Sequence, residues 1–579
     1  MAVVGVSAAL NSSLSSVCTV SYVQSVLPAS EFITGITINV DSVTTNTVTN
    51  YSVASSNLYP AGSGLNFCNV TFSYTHDGSD GEATNLWYWL PAPSEFQNRY
   101  LSSGGGGFSI SSGSGGLSQG LVFGAATGTT DGGFGSWSAQ LTDVLLKANG
   151  TLNYDALYAF GYKAIHEMSV LGKELTRKFY GIEDFYSYYQ GCSEGGREGW
   201  SQVQRFGSQF DGAAIGAPAF RQAFQQVNHL FPAVAETLNN YAPSKCELTA
   251  INNATIAACD GLDGIVDGVV SRTDLCKTHF DLDSVLGRPY SCAATIGGIG
   301  GGGAPGKRKR QMGGGAPSPA VNGTVSAGAI NIAKILLNGL RDSKGRQVYI
   351  PFQPVATFGD AAATYNSTTG GYSVSASGIG NQFVDYLLNE VATTSIDLST
   401  VDYDKLRSWM LQALQKFQDS IETTWPDLED FQTAGGKVIH FHGESDDSVP
   451  TASSVRYYES VRSVMYPKLS YTDSVAALDD WYRLFLIPGA GHCAPSTTQP
   501  APFPQNVFGS LIEWVEGGVN PTLLNATVES GANKGAKGKI CSYPLRPYWT
   551  DGVNMDCVYD QSSVDSFTYT LDSIPVPVY

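Results

Sequence analysis

Between residues 154 and 180, apolar side chains recur at helical spacing: Leu157, Phe160, Ile165, Met168, Leu171 and Leu175. The run ends at Gly181, so the pattern predicts one amphipathic helix stopped by a glycine. Phe185 to Tyr189 then reads as an aromatic-rich β-strand. It runs into Gly191-Cys192-Ser193-Glu194-Gly195-Gly196, and a helix-like stretch follows from Arg197 to Phe206. Three further short apolar runs, 212–217, 437–442 and 483–487, read as buried strands. Strands alternating with helices predict an α/β sheet domain.

Between about 220 and 430 this rhythm is lost. That segment holds helical stretches at 327–340 and 400–418, a Cys/Asp-rich region at 246–292 and a basic loop. The expectation is a catalytic α/β domain built from residues 1–219 and 431–579, interrupted by a lid domain at 220–430. The lid would sit over the carboxyl edge of the sheet, where α/β active sites lie. No internal repeat is visible.

Composition narrows the class. Of 579 residues, 42% are hydrophobic, enough for a sizeable core and too many for a disordered chain. A net charge of −18 makes the chain a poor binder of nucleic acid or anionic membrane. No charge-free apolar run is long enough to span a bilayer, apart from glycine-rich ones. The ten cysteines form no CxxC pair, which argues for disulfides over zinc or redox chemistry. Eight N-x-S/T sequons, at Asn11, Asn50, Asn69, Asn149, Asn253, Asn322, Asn366 and Asn525, point the same way, to a secreted glycoprotein. No basic region stands at the N-terminus, so Met1 is expected to replace a removed signal peptide. Lys307-Arg308-Lys309-Arg310 lies between two glycine runs, an accessible setting for a processing protease. Cleavage after Arg310 into two disulfide-linked chains is the expectation.

The chemistry centres on Gly191-Cys192-Ser193-Glu194-Gly195, a G-x-S-x-G between a strand and a helix. This is the nucleophile elbow of α/β-hydrolases, a turn so tight that only small residues fit two places either side of the serine. In such enzymes the acid follows a late strand and the histidine comes last. His492, in Gly489-Ala490-Gly491-His492-Cys493, lies just past the strand at 483–487. The acid is sought in Glu444-Ser445-Asp446-Asp447, where Asp446 is favoured over Asp447 by its spacing to Val449-Pro450. His440 and His442 share one face of their strand; they read as buried, hydrogen-bonded histidines, with metal ligation the alternative. Cys192 directly precedes Ser193, and Cys493 directly follows His492. A disulfide between them would hold Ser193 and His492 side by side, since it sets Cα atoms ~5–6 Å apart. Near residue 260, Asp260, Asp263 and Asp267 with interspersed glycines can wrap a hard cation, the Ile265 and Val269 carbonyls adding oxygen.

Taken together, these residues resemble the fungal tannase/feruloyl esterase family of α/β-hydrolases, which is marked by a CS-D-HC arrangement. The resemblance covers nearly the whole chain. It is carried by Gly104-Gly105-Gly106-Gly107-Phe108-Ser109, by residues 189–199 around Ser193, by Ala258-Cys259-Asp260-Gly261-Leu262-Asp263-Gly264, by His442-Gly443-Glu444-Ser445-Asp446 and by Pro488 to Cys493. Within the family the chain is most similar to secreted tannases of the Aspergillus type.

The resemblance implies an esterase acting on galloyl esters and depsides of tannins, with small aromatic esters as its partners. Ser193 would form an acyl-enzyme, His492 would act as base and acid, and Asp446 would orient it. The Glu194 amide and one of Gly105 or Gly106 would hold the oxyanion. It also implies structural calcium on Asp260, Asp263, Ile265, Asp267 and Val269. Disulfides Cys259–Cys276, Cys18–Cys68 and Cys541–Cys557 are implied as well, which leaves Cys246 with Cys292. Two other readings stand beside it. One is a feruloyl esterase. The other is a non-catalytic polyphenol-binding protein, for which 30 Tyr, 26 Phe and 9 Trp offer stacking surface.

Overall fold

The computed structural model describes residues 11–78, 83–135, 144–294, 319–361, 363–368, 370–393 and 396–575. The basic loop at 307–310 lies outside the described residues.

Nine strands form the main sheet. We label them β1 (Ile36–Val53), β2 (Gly62–His76), β3 (Thr84–Pro91), β4 (Arg99–Ser103), β5 (Ala125–Thr130), β6 (Tyr186–Cys192), β7 (Gly212–Gly216), β8 (Lys437–Gly443) and β9 (Tyr482–Ile487). Their order is β1-β2-β3-β5-β4-β6-β7-β8-β9. The first four pair antiparallel, and everything from β5 to β9 is parallel. The β5-β4 inversion, followed by a parallel run of increasing strand number, is the order of an α/β-hydrolase sheet. The register sets Cys192 beside Gly216, Gly216 beside Phe441 and Gly443 beside Ile487. The loops after β6, β8 and β9 therefore open on one edge.

The parallel strands are buried on both faces, which is why they read as unbroken apolar runs. Successive residues feed two separate cores. Ala213, Ile215, Val438, Leu484 and Leu486 belong to one; Ala214, Ile439, Phe441, Phe485 and Ile487 belong to the other. Helices α1 (Ala164–Tyr180), α2 (Glu194–Arg205), α3 (Thr451–Met465) and α4 (Val507–Gly517) pack against these faces.

The helix expected over 154–180 is interrupted. Tyr154–Tyr158 is α-helical, Ala159–Lys163 is a π-turn and α1 follows, ending at left-handed Gly181. The π-turn frees carbonyls that Arg197 of α2 takes, at 2.9 Å to Phe160 and 2.7 Å to Gly161.

Between β7 and β8 the chain forms helices such as Gln222–Asn228, Phe231–Leu238, Lys245–Cys259, Ala327–Asn338 and Tyr403–Phe417. Part of it has its own small core around Ile251, Ala329 and Ile330. Phe224, Phe231, Met410 and Phe417, by contrast, join the core beneath the sheet. All ten cysteines are paired: 18–68, 192–493, 246–292, 259–276 and 541–557. No helix among the described residues is long and apolar enough to cross a membrane.

Candidate active site

Ser193 follows β6 directly and stands at φ 66°, ψ −123°, a strained conformation for a residue with a side chain. Three backbone hydrogen bonds hold it there: its N–H donates to the Gly216 carbonyl at 3.0 Å, and its carbonyl accepts from the Arg197 and Ala219 N–H groups at 3.0 and 3.3 Å. The flanking glycines are required. A Cβ at Gly191 would stand 2.4 Å from the Gly195 oxygen, and one at Gly196 would stand 2.4 Å from the Gly216 oxygen. α2 begins at Glu194, earlier than the apolar pattern suggests, because the elbow itself opens the helix.

Three loops converge on Ser193. His492 Nε2 lies 2.7 Å from Ser193 Oγ, and His492 Nδ1 lies 2.7 Å from Asp446 Oδ2. The Cys192–Cys493 bridge ties the two segments, with Cα atoms 6.1 Å apart. Asp446 is fully buried, and its Oδ1 accepts the Ser448 and Val449 amides at 2.8 and 2.9 Å. Burial works against its charge, but His492 and the hydrogen bonds from His442 and His492 outweigh it, and the carboxyl sits well below the usual range. Burial also works against a charged His492, yet the Asp446 charge and hydrogen bond, helped by Asp447, raise its imidazole above the ordinary value of 6.5. The neighbouring Asp447 accepts from the Thr357 hydroxyl of the segment between β7 and β8.

The glycine loop after β4 lies over the elbow, but two of its expected donors are already used. Gly105 N–H donates to Glu198 Oε2 at 2.7 Å, and Gly106 N–H donates to the Ser109 carbonyl at 3.2 Å. Neither is free for an oxyanion, which corrects the expectation for Gly105 and Gly106. The Gly105 carbonyl accepts from Gly195 N–H at 3.1 Å, clamping the loop to α2. The Glu194 amide opens α2, where a first-turn N–H has no partner within the helix. The Glu198 anchor was not legible in the sequence, since Gly105 and Glu198 stand 93 residues apart. His440 and His442 are buried and fully hydrogen-bonded to side chains of their own surroundings. A cavity of ≈ 840 Å³ lined by Gln204, Leu411, Trp425 and Phe431 contains none of the triad.

In the Asp-rich loop, Asp260 Oδ1 accepts the amides of Asp267, Gly268 and Val269 at 3.0 to 3.2 Å. Asp263 Oδ1 accepts from Ile265 N–H at 3.1 Å, while its Oδ2 is buried without a partner. Burial, offset in part by that amide and by Ser271 and reinforced by Asp267 and Asp260, raises the Asp263 carboxyl to about 6. Among the described residues, no three His, Cys, Asp or Glu side chains converge as a ready metal cage. Of the sequon asparagines, seven are exposed; Asn69, paired within β2 on both sides, is half-buried with its Oδ1 shielded.

The fold and the Ser-His-Asp arrangement are those of an α/β-hydrolase acting by a serine nucleophile. The family model described as tannase and feruloyl esterase matches residues 68–564, and the chain belongs to this family; it is a carboxylic ester hydrolase. The chain is 45% identical to the tannase of Aspergillus oryzae, over 100% of its own length and 99% of that protein. It is 28% identical to a probable feruloyl esterase of Arthroderma benhamiae, over 88% of this chain and 86% of that one. The tannin acyl hydrolase structure from Aspergillus niger superposes with a TM-score of 0.93 at 53% identity, covering 98% of this chain and 100% of that chain. Feruloyl esterase B from Aspergillus oryzae superposes with a TM-score of 0.68 at 26% identity, covering 91% and 97%.

Proposed function

We propose that this enzyme hydrolyses galloyl ester and depside bonds of tannins and releases gallic acid. What carries the reading is the unbroken hydrogen-bond line Ser193–His492–Asp446 in a chain much more similar to tannases than to feruloyl esterases. Ser193 Oγ attacks the ester carbonyl while His492 Nε2 takes its proton. The tetrahedral oxyanion is held by the Glu194 amide and by a second amide of the glycine loop that lies over the elbow. His492 then protonates the departing alcohol or phenol. Water, deprotonated by the same imidazole, cleaves the acyl-enzyme and frees the acid. Rates on methyl gallate and methyl ferulate test the acyl preference, and gallate should be strongly favoured. A larger kcat/KM for ferulate would overturn it, and full activity in Ser193→Ala would overturn the mechanism.

Calcium is proposed for the Asp260–Val269 loop. The buried, unpartnered Asp263 Oδ2 supports it, together with Asp260, Asp267 and the Ile265 and Val269 carbonyls, an all-oxygen set suited to a hard cation. Its role would be to brace the loop, outside the ester chemistry. A secreted location is proposed from the fully paired cysteines and the exposed sequons. Processing after Arg310 remains part of that proposal, the halves being joined by the Cys192–Cys493 bridge.

A further inference from the structure

Behind the triad, β8 and β9 carry a row of buried polar side chains that the ester chemistry does not touch. His440, His442 and Tyr482 are fully buried, and Ser454 of α3 packs among them. The contacts are continuous. Tyr482 Oη lies 2.8 Å from His440 Nδ1, His440 Nε2 lies 2.9 Å from Ser454 Oγ, and Ser454 Oγ lies 2.6 Å from His442 Nδ1. His442 Nε2 then lies 3.0 Å from Asp446 Oδ2.

The last contact fixes the direction of the others. Asp446 Oδ2 and the Val449 carbonyl, 3.1 Å from His442 Nε2, can only accept, so that nitrogen carries the proton. In a neutral ring, Nδ1 then accepts from the Ser454 hydroxyl. The Ser454 oxygen accepts from His440 Nε2–H, and His440 Nδ1 accepts from the Tyr482 hydroxyl. Burial and the neighbouring His442 keep His440 neutral, as this pattern needs. Every hydrogen in the row points toward Asp446.

We propose that His442 is a positioning residue for the triad: it donates to the same Asp446 oxygen that His492 uses, with its tautomer fixed by Asp446 and the Val449 carbonyl and its ring held by Ser454. The inference rests on the triad assignment above. Asp446 Oδ2 shares its charge between two imidazoles, so it stabilises protonated His492 less than it otherwise would. The titratable groups facing this pair are Asp447 on the same loop, Asp360 beyond it, His442 and His440 on β8 and Tyr482 on β9. Removing the His442 donor concentrates the Asp446 charge on His492 and makes His492 more basic.

The test is the acid limb of kcat/KM for methyl gallate in the full-length protein, with active sites counted by fluorophosphonate labelling. His442→Leu should move the limb up by roughly half a pH unit or more. His442→Gln, whose amide N–H can occupy the Nε2 position, should return it to the wild-type pH. An unmoved limb in His442→Leu overturns the proposal. If that variant does not fold, His442→Asn takes its place, its shorter amide reaching only the Nδ1 position and leaving Asp446 without this donor: an upward shift supports the proposal and an unchanged limb overturns it. Loss of activity in Ser193→Ala with an unshifted His442→Leu would keep the triad and remove only this inference.

Discussion

Cys192 and Cys493, 301 residues apart in sequence, are joined by a disulfide that places the residue before the nucleophile against the residue after the base. Ser193 Oγ and His492 Nε2 meet at 2.7 Å as a result of two anchored backbones rather than two flexible loops. Fixing reacting groups in this way is a large source of rate. The double variant Cys192→Ala/Cys493→Ala should therefore lose kcat by about tenfold or more. It should also lose stability, at most roughly 6 kcal/mol in the chain-entropy limit for so long a loop. Cys541→Ala/Cys557→Ala, which opens a bridge of separation 16, is the control. It should lower Tm and leave kcat near wild type. Equal loss of kcat in both would refute the positioning role.

Asp446 and Asp447 stand side by side but should behave differently in a pH profile. The base form of His492 is neutral, so kcat/KM rises with pH through its pKa. Both carboxylates raise that pKa, Asp446 by charge and hydrogen bond and Asp447 by charge alone. Asp446→Asn should lower kcat by about 10⁴-fold, through loss of the correct tautomer, and should shift the acid limb downward. Asp447→Asn should shift the limb downward with kcat nearly intact. An upward shift in either variant would show that the sign is wrong.

Glu198 ties the glycine loop to α2 through the Gly105 amide at 2.7 Å. Burial and the nearby Glu194 charge, only partly offset by Arg197 and the Gly105 amide, push its carboxyl well above the usual range. A carboxyl held neutral resembles an amide, whose carbonyl accepts equally well. Glu198→Gln should stay within about threefold of wild-type kcat, whereas Glu198→Ala should lose roughly 10²-fold with KM little changed, as expected when an oxyanion loop is released. Equal kcat in the two variants would deny the anchor.

How much of this was legible in the sequence follows from burial. Strands β6 to β9 read as apolar runs because both faces are covered, and they carry the triad. β1 to β5 went unread. β1 is rich in Thr, Asn and Ser, is mostly exposed, and breaks register between Asn39 and Thr44 and again between Val48 and Tyr51. Such a strand lacks the clean alternation that marks a half-buried one. The π-turn at Ala159–Lys163 was equally hidden, because its cause lies in another element: the Arg197 side chain that takes the freed carbonyls. Ser193, Asp446 and His492 could be named because the elbow turn and the flanking cysteines are local signals. Glu198 and His442 could not, because their roles arise only from contacts made by folding.

The Asp260–Val269 loop supplies the last prediction. A carboxylate oxygen buried without a donor, as at Asp263 Oδ2, is costly unless something compensates its charge. A bound cation would do so, and because it would bind only the folded loop, it would add stability by mass action, about 2.7 kcal/mol at a hundredfold excess over Kd. Chelation should lower Tm by a few degrees, and calcium should restore it better than magnesium, which demands a stricter octahedron and gives up water reluctantly. The loop reaches the triad only indirectly: Val270 N–H donates to Gln499 Oε1 at 3.0 Å, and Gln499 Nε2 donates to Ser445 Oγ at 2.6 Å. At temperatures well below Tm, kcat should therefore survive chelation. Asp263→Asn should lower Tm to about the chelated value and abolish the response to chelator. An Asp263→Asn protein that still responds fully would place the cation elsewhere, and a wild-type Tm indifferent to chelator would dismiss the cation altogether.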